Sequence, residues 1–325
     1  MTEKSRKVGG PSSAGHEGLF VLKMAHGSKG NLTVAQQLLC GGISGGVART
    51  ITSPLDVVKI IMQCQRGPVE TRKYASVGHA FTSIMATSGI KGLWRGNGVA
   101  LVRMIPYTAI KFAAFERYKP VFADEEGKLS NVRRLVAGAL AGITAVAATY
   151  PLDVVKTRFS IQSHENPKYT GVLQSLGLIA REEGITALWS GFSTTIIGVV
   201  PYEGGQFMMK EYIASLWNEH MDRPMKIHES LLSGCLAGAF AQTISYPIDT
   251  VRKALQTAPP GKYSGMGQCA MDIVKTEGPL SLFQGISINL VKVVPFASLS
   301  FFMYDQCKGA FTQYNNLQAE KKKLE

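Results

Sequence analysis

The stretch Ala148–Arg158, "ATYPLDVVKTR", sets a proline, an acid and a base inside a segment that otherwise reads as helix. It overlaps the end of an uncharged run, Leu135–Leu152. Asp153 and Lys156 are three residues apart, on one face of a helix just past a kink. Such a pair is costly against lipid or a dry core, so it predicts a polar partner elsewhere in the chain.

The partner is another copy of the same motif. "SPLDVVK" begins at Ser53, "YPLDVVK" at Tyr150 and "YPIDTVR" at Tyr246, so Pro54, Pro151 and Pro247 are 97 and 96 residues apart. Thirteen and nine residues before each proline stand Gly41 and Gly45, Gly138 and Gly142, Gly234 and Gly238. Downstream, "SGIKGLWRG", "EGITALWSG" and "EGPLSLFQG" end at Gly96, Gly191 and Gly285. Ten residues further on come Pro106, Pro201 and Pro295, and twenty further on Glu116, Glu211 and Asp305. One unit of about 95 residues is written three times, longer than a helical solenoid repeat.

Each unit reads as a long proline-kinked helix, a loop, a short amphipathic helix and a second long helix. The uncharged runs Leu32–Ala48, Leu135–Leu152 and Leu231–Ile248 approach the length that crosses a bilayer. They lack the polar face of a globular helix, and their small-xxx-small pairs suit close packing in lipid. The expectation is an all-α membrane protein of six spans in three pseudo-symmetric repeats with short interfacial helices. The units run over 31–124, 125–224 and 225–312, between an N-terminal tail, 1–30, and a basic C-terminal tail, 313–325. Residues 1–28, from their Gly, Ser and Lys content, are expected to be disordered and dispensable for function.

Composition narrows the chemistry. The formal charge is +12 over 325 residues, and mean hydropathy is +0.06. A basic excess points to an anionic partner, but no basic stripe with interleaved aromatics supports nucleic acid. Cys40, Cys64, Cys235, Cys269 and Cys307 show no CxxC spacing and read as free thiols. The histidines lack metal-binding spacing, no P-loop is present, and neither a metal nor another cofactor is implied. No nucleophile with a base suggests an enzyme, and the N-terminus lacks an apolar h-region, so a cleaved secretory signal is not expected.

The charged pairs Asp56 and Lys59, Asp153 and Lys156, Asp249 and Arg252 predict a ring of ionic locks where the kinked helices converge. A second ring is written at the other ends: Glu116 with Lys119, Glu211, and Asp305 with Lys308; the middle copy has Ala214 where a base is expected. Two gates flanking a cavity describe alternating access.

These motifs resemble the mitochondrial carrier family (solute carrier family 25) over about residues 33–310. The resemblance implies a threefold barrel in the inner mitochondrial membrane, working as a monomer among lipids such as cardiolipin. It pairs Asp56 with Lys156, Asp153 with Arg252 and Asp249 with Lys59 in a matrix gate. Gln63 and Gln256 brace that gate, and Ser160 takes the place of the third brace. In the cytoplasmic gate Lys119 meets Glu211 and Lys308 meets Glu116.

A substrate has no threefold axis, so its contacts are expected where the repeats disagree. Seven residues after the repeated glycines stand Arg103, Gly198 and Lys292, and fifteen after stand Lys111, Gln206 and Ser300. Twelve after stand Thr108, Glu203 and Ala297, and five before the first-helix prolines stand Arg49, Val146 and Gln242. Arg49, Arg103, Lys111 and Lys292 against the single acid Glu203 make an electropositive cavity suited to phosphate. By resemblance Arg103, Gly198 with Val199, and Lys292 are the substrate contact points, with Tyr202 nearby, and the small Gly198 leaves room for a planar ring. The combination is similar to carriers of coenzyme A and adenine nucleotides, although Glu203 departs from that branch. The reading is exchange of an anionic nucleotide-like metabolite. The alternatives are a carrier of another phosphorylated cofactor such as thiamine pyrophosphate, or a carrier-fold scaffold that does not transport.

Overall fold

The computed structural model of the chain describes residues 32–65, 67, 73–124, 130–162, 167–221, 223 and 225–324; the N-terminal tail, 1–30, lies outside them. Nine α-helices are found among the described residues, and no strand. The first long helices of the repeats are α1 (Val34–Cys64), α4 (Asn131–Ile161) and α7 (Ile227–Thr257), each 31 residues with its proline inside. The short helices are α2 (Val77–Ser88), α5 (Val172–Glu182) and α8 (Met266–Glu277). The second long helices are α3 (Asn97–Phe122), α6 (Phe192–His220) and α9 (Ile286–Leu324). α9 runs unbroken for 39 residues, so the stretch from 313 that the sequence set apart as a tail is helical up to Leu324.

Proline leaves one helical carbonyl without its donor, and in lipid that carbonyl must find another. Pro54 frees the carbonyl of Thr50, and Pro151 frees that of Ala147. The indole N–H of Trp94 donates to Thr50 O at 2.8 Å, and that of Trp189 to Ala147 O at 2.9 Å. The "LW" of the downstream motif thus serves the kink of its own repeat. In the third repeat Phe283 has no such donor and stacks on Tyr246 instead, with ring centroids 6.5 Å apart.

The following glycine caps the second long helix and brings it against the next repeat. Gly96, Gly191 and Gly285 hold φ of 76°, 80° and 79°. A Cβ on Gly96 would lie 2.9 Å from Lys156 O, so only glycine permits the approach. Helices then pair across repeats: α3 lies along α4, α6 along α7, and α9 returns to α1, closing the ring within one chain. The contacts are made by small side chains; Ala137, Ala141, Ala145, Ala237 and Ala241 are buried.

Five of the six long helices are apolar and long enough to cross a membrane. α1 has the same length but spends positions on Gln36, Gln37, Arg49 and Thr50, which lowers its hydropathy. Its amides are used: Gln36 and Asn315 exchange two side-chain hydrogen bonds, 3.0 and 3.1 Å, tying the start of α1 to the far end of α9.

At the opposite end, three small cores seat the short helices, centred on Ile84, Ile179 and Ile273. The second of them carries a buried ion pair. Both terminal nitrogens of Arg158 donate to Glu183, Nη2 at 2.7 Å, and Nε donates to Gln256 O at 3.1 Å. Ile61 and Ala254 occupy the equivalent places in the other repeats. Glu183→Gln strands half of a buried pair, and a loss of about 3 kcal/mol is expected, read as a lowered thermal unfolding midpoint.

Candidate functional site

The kinked ends of α1, α4 and α7 converge, and the motif acids face the seams between them. Asp249 of α7 accepts from Lys59 Nζ of α1 at 2.9 Å and from Gln63 Nε2 at 3.2 Å. Asp153 of α4 accepts from the Arg252 guanidinium of α7 and from Gln256 Nε2 at 2.9 Å. In both seams the tyrosine before the proline lies under the cation, Tyr246 5.3 Å from Lys59 and Tyr150 5.8 Å from Arg252. Tyr150 OH also accepts from Gln256 Nε2 at 3.1 Å and from Thr195 Oγ1 at 3.2 Å.

The seam between α1 and α4 is built differently. Asp56 does not bond Lys156; its Oδ1 accepts from Lys292 Nζ of α9 at 2.7 Å. Lys156 makes neither a side-chain hydrogen bond nor an ion pair within 4 Å among the described residues, although Asp56 acts on it from farther off. The expected Asp56–Lys156 pair is therefore corrected to Asp56–Lys292. The reason lies in the packing: α9 runs along α1, which carries Lys292, seven residues after Gly285, to the level of Asp56. Arg103, at the same repeat position on α3, reaches Asp153 Oδ1 at 3.1 Å. The third copy of that position is Gly198, so Asp249 receives no such cation and has Arg252 at 3.7 Å instead.

Two of the four cavity cations expected to meet substrate are thus held by gate acids. Arg103 and Lys111 also lie near the Tyr107 ring, 5.7 and 5.8 Å from its centroid. Glu203 is half-buried and feels Lys111 and Lys210; Tyr202 beside it is half-buried as well. Arg49 lines a small cavity with Asp56 and Lys156. At Gly198 a Cβ would lie 3.1 Å from Ile248 Cγ2. Its small size lets α6 pack closely against Ile248 of α7. Val199 is 44% exposed.

The second ring is open. Glu116 and Lys119 are exposed and lie 3.8 Å apart within their own helix, one turn from each other. Glu211 and Asp305 are exposed and Lys308 is half-buried. Among the described residues no ion pair joins Lys119 to Glu211 or Lys308 to Glu116. One mouth is latched and the other parted, which separates pairs that the motif spacing alone would join.

The sequence reading missed Lys253. Its buried ammonium donates to Thr157 Oγ1 and Gln256 Oε1, both at 2.9 Å, and stands 3.6 Å from Asp153. The signal was present in the repeat comparison, since Ile60 and Thr157 take that place in the other copies. Asp153 therefore holds three cations, Arg252, Arg103 and Lys253, against one that the motif predicts.

A family model described as "Mitochondrial carrier protein" matches three successive segments, residues 30–126, 127–221 and 223–315. The chain is 38% identical to solute carrier family 25 member 43 of Danio rerio, over 85% of this chain and 81% of that protein. It is 36% identical to the mitochondrial coenzyme A transporter SLC25A42 of Xenopus tropicalis, over 93% of each. It is 33% identical to the mitochondrial adenine nucleotide transporter ADNT1 of Arabidopsis thaliana, over 85% and 87%. Three matched repeats, a closed helical ring and relatives that are transporters lead to one conclusion: the chain belongs to the mitochondrial carrier family of the inner mitochondrial membrane.

Proposed function

We propose that this carrier exchanges an anionic nucleotide-like metabolite, of coenzyme A or adenine nucleotide type, by alternating access. One observation carries the reading: Arg103 and Lys292 stand where the repeats disagree, and each holds a gate acid, Asp153 and Asp56. Phosphate oxygens compete with carboxylates for the same cations, and arginine presents a fork that suits both. A phosphate that draws Arg103 and Lys292 toward the cavity withdraws two bonds from the latched ring. Substrate binding and gate release thereby share the same side chains, which is the differential interaction a conformational change requires. Lys111, Tyr202 and Glu203 line the approach, and Glu203 offers an acceptor to an amine or amide donor on the far end of such a substrate. The names of the coenzyme A and adenine nucleotide relatives support this substrate class.

The ring closes within one chain, so a monomer is sufficient for the pathway, and a net charge of +12 suits contact with anionic lipid such as cardiolipin. The test is uptake of labelled coenzyme A, ADP and thiamine pyrophosphate into liposomes preloaded with each. Exchange of coenzyme A or ADP well above the thiamine compound is expected. Exchange of the thiamine compound alone moves the substrate class, and exchange of none of them supports the scaffold reading.

A further inference from the structure

The two seams that match each other are plugged, and the third is not. Where Tyr150 and Tyr246 stand before their prolines, α1 has Ser53; where Gln63 and Gln256 stand, α4 has Ser160. The hydroxyl of Ser160 is used locally, donating toward Lys156 O at 3.0 Å and Arg95 O at 3.3 Å. The missing phenol and amide leave a cavity of about 10 Å³ lined by Arg49, Ser53, Asp56, Asn97, Lys156 and Ser160. That is space for one small occupant. The walls are not neutral. Among the described residues Lys156 has no ionic partner within 4 Å, Arg49 stands beside it, and the acid that lines the cavity, Asp56, already holds Lys292.

We propose that this seam cavity is a binding site for a single small monovalent anion of chloride size, held by Lys156 with Arg49 and the Ser53 hydroxyl. Lys156 lines the cavity with neither a hydrogen bond nor an ion pair within 4 Å among the described residues, so a small anion supplies the counter-charge that the other seams take from an acid. The occupant does for Lys156 what Asp153 does for Arg252, and supplies the third fastening of the ring. The site lies in the latched seam beside Arg49 and Asp56, and its readout, the salt dependence of unfolding, needs no substrate.

The test is thermal unfolding of purified full-length protein in sodium chloride and in sodium gluconate at matched ionic strength, which equalises screening. An anion that binds the folded state raises the midpoint by mass action. For wild type a saturable rise of about 4 °C in chloride is expected. Ser160→Gln, which rebuilds the plug of the other seams, and Lys156→Gln, which removes the charge, should each abolish the chloride-dependent part. Should a variant fail to fold, ³⁵Cl line broadening by wild type reads the site directly, with broadening that is displaced by bromide as the supporting result. Equal midpoints in the two salts for wild type, an equal rise in wild type and both variants, or no excess line broadening would each overturn the proposal. The first of these results would leave water as the occupant.

Discussion

Asp153→Lys is expected to lower exchange by at least about 100-fold, the rate equivalent of breaking a buried pair worth about 3 kcal/mol. Asp153 is bound by the Arg252 guanidinium, by Arg103 at 3.1 Å and by Gln256 at 2.9 Å, with Lys253 at 3.6 Å. A lysine in its place gathers four cations in one seam. Adding Arg252→Asp restores one opposed pair but leaves Arg103 and Lys253 facing the new base. Rescue at this seam should therefore be small. The reversed pair Lys59→Asp with Asp249→Lys should recover more, because fewer cations surround Asp249: Lys59 at 2.9 Å and Arg252 at 3.7 Å. Uptake by Asp153→Lys, Asp249→Lys and the two reversed pairs in proteoliposomes checks this, with correct folding read from the thermal midpoint. Equal rescue at the two seams would show that the extra cations of the Asp153 cluster do not matter to the gate.

Lys292→Ala and Arg103→Ala should each reduce exchange by about 30-fold or more, the consequence of losing a desolvated charge contact worth at least about 2 kcal/mol. Their secondary effects should differ, and that difference tests the double role assigned to these cations. Asp153 keeps Arg252, Lys253 and Gln256 when Arg103 is removed, so the latch of that seam survives. When Lys292 is removed, Asp56 loses the one group that hydrogen-bonds it among the described residues, and Lys156 stands across the seam as a replacement. Lys292→Ala should then lower the thermal midpoint of the substrate-free protein more than Arg103→Ala does, while both raise the apparent KM. Lys292→Arg, which keeps the charge, should restore the midpoint. Wild-type uptake by both alanine variants would remove these residues from the substrate site.

The repeat comparison also explains why some parts of the site were legible and others were not. Arg103 and Lys292 stand out in the sequence because, with Gly198, they break the threefold pattern at one position. Lys253 was visible by the same rule, standing where the other copies have Ile60 and Thr157, but it lies one residue outside the motif that drew the eye. Its burial against Thr157 and Gln256 is a property of two helices in contact, and no local pattern states it. The indole bonds to Thr50 and Ala147 follow from the prolines by counting back four residues, although which donor would supply them needed the fold.

The linear chain determined its own architecture here: the kinks, the capping glycines and the placing of acid and base on one helix face are local, set by backbone sterics and helical periodicity. Choice among partners was not local. Whether Asp56 takes Lys156 or Lys292 and whether the second ring is joined or parted are decided by helix-to-helix distances of a few ångströms. Charge interactions in a low-dielectric seam change steeply over such distances, and only the packed helices set them.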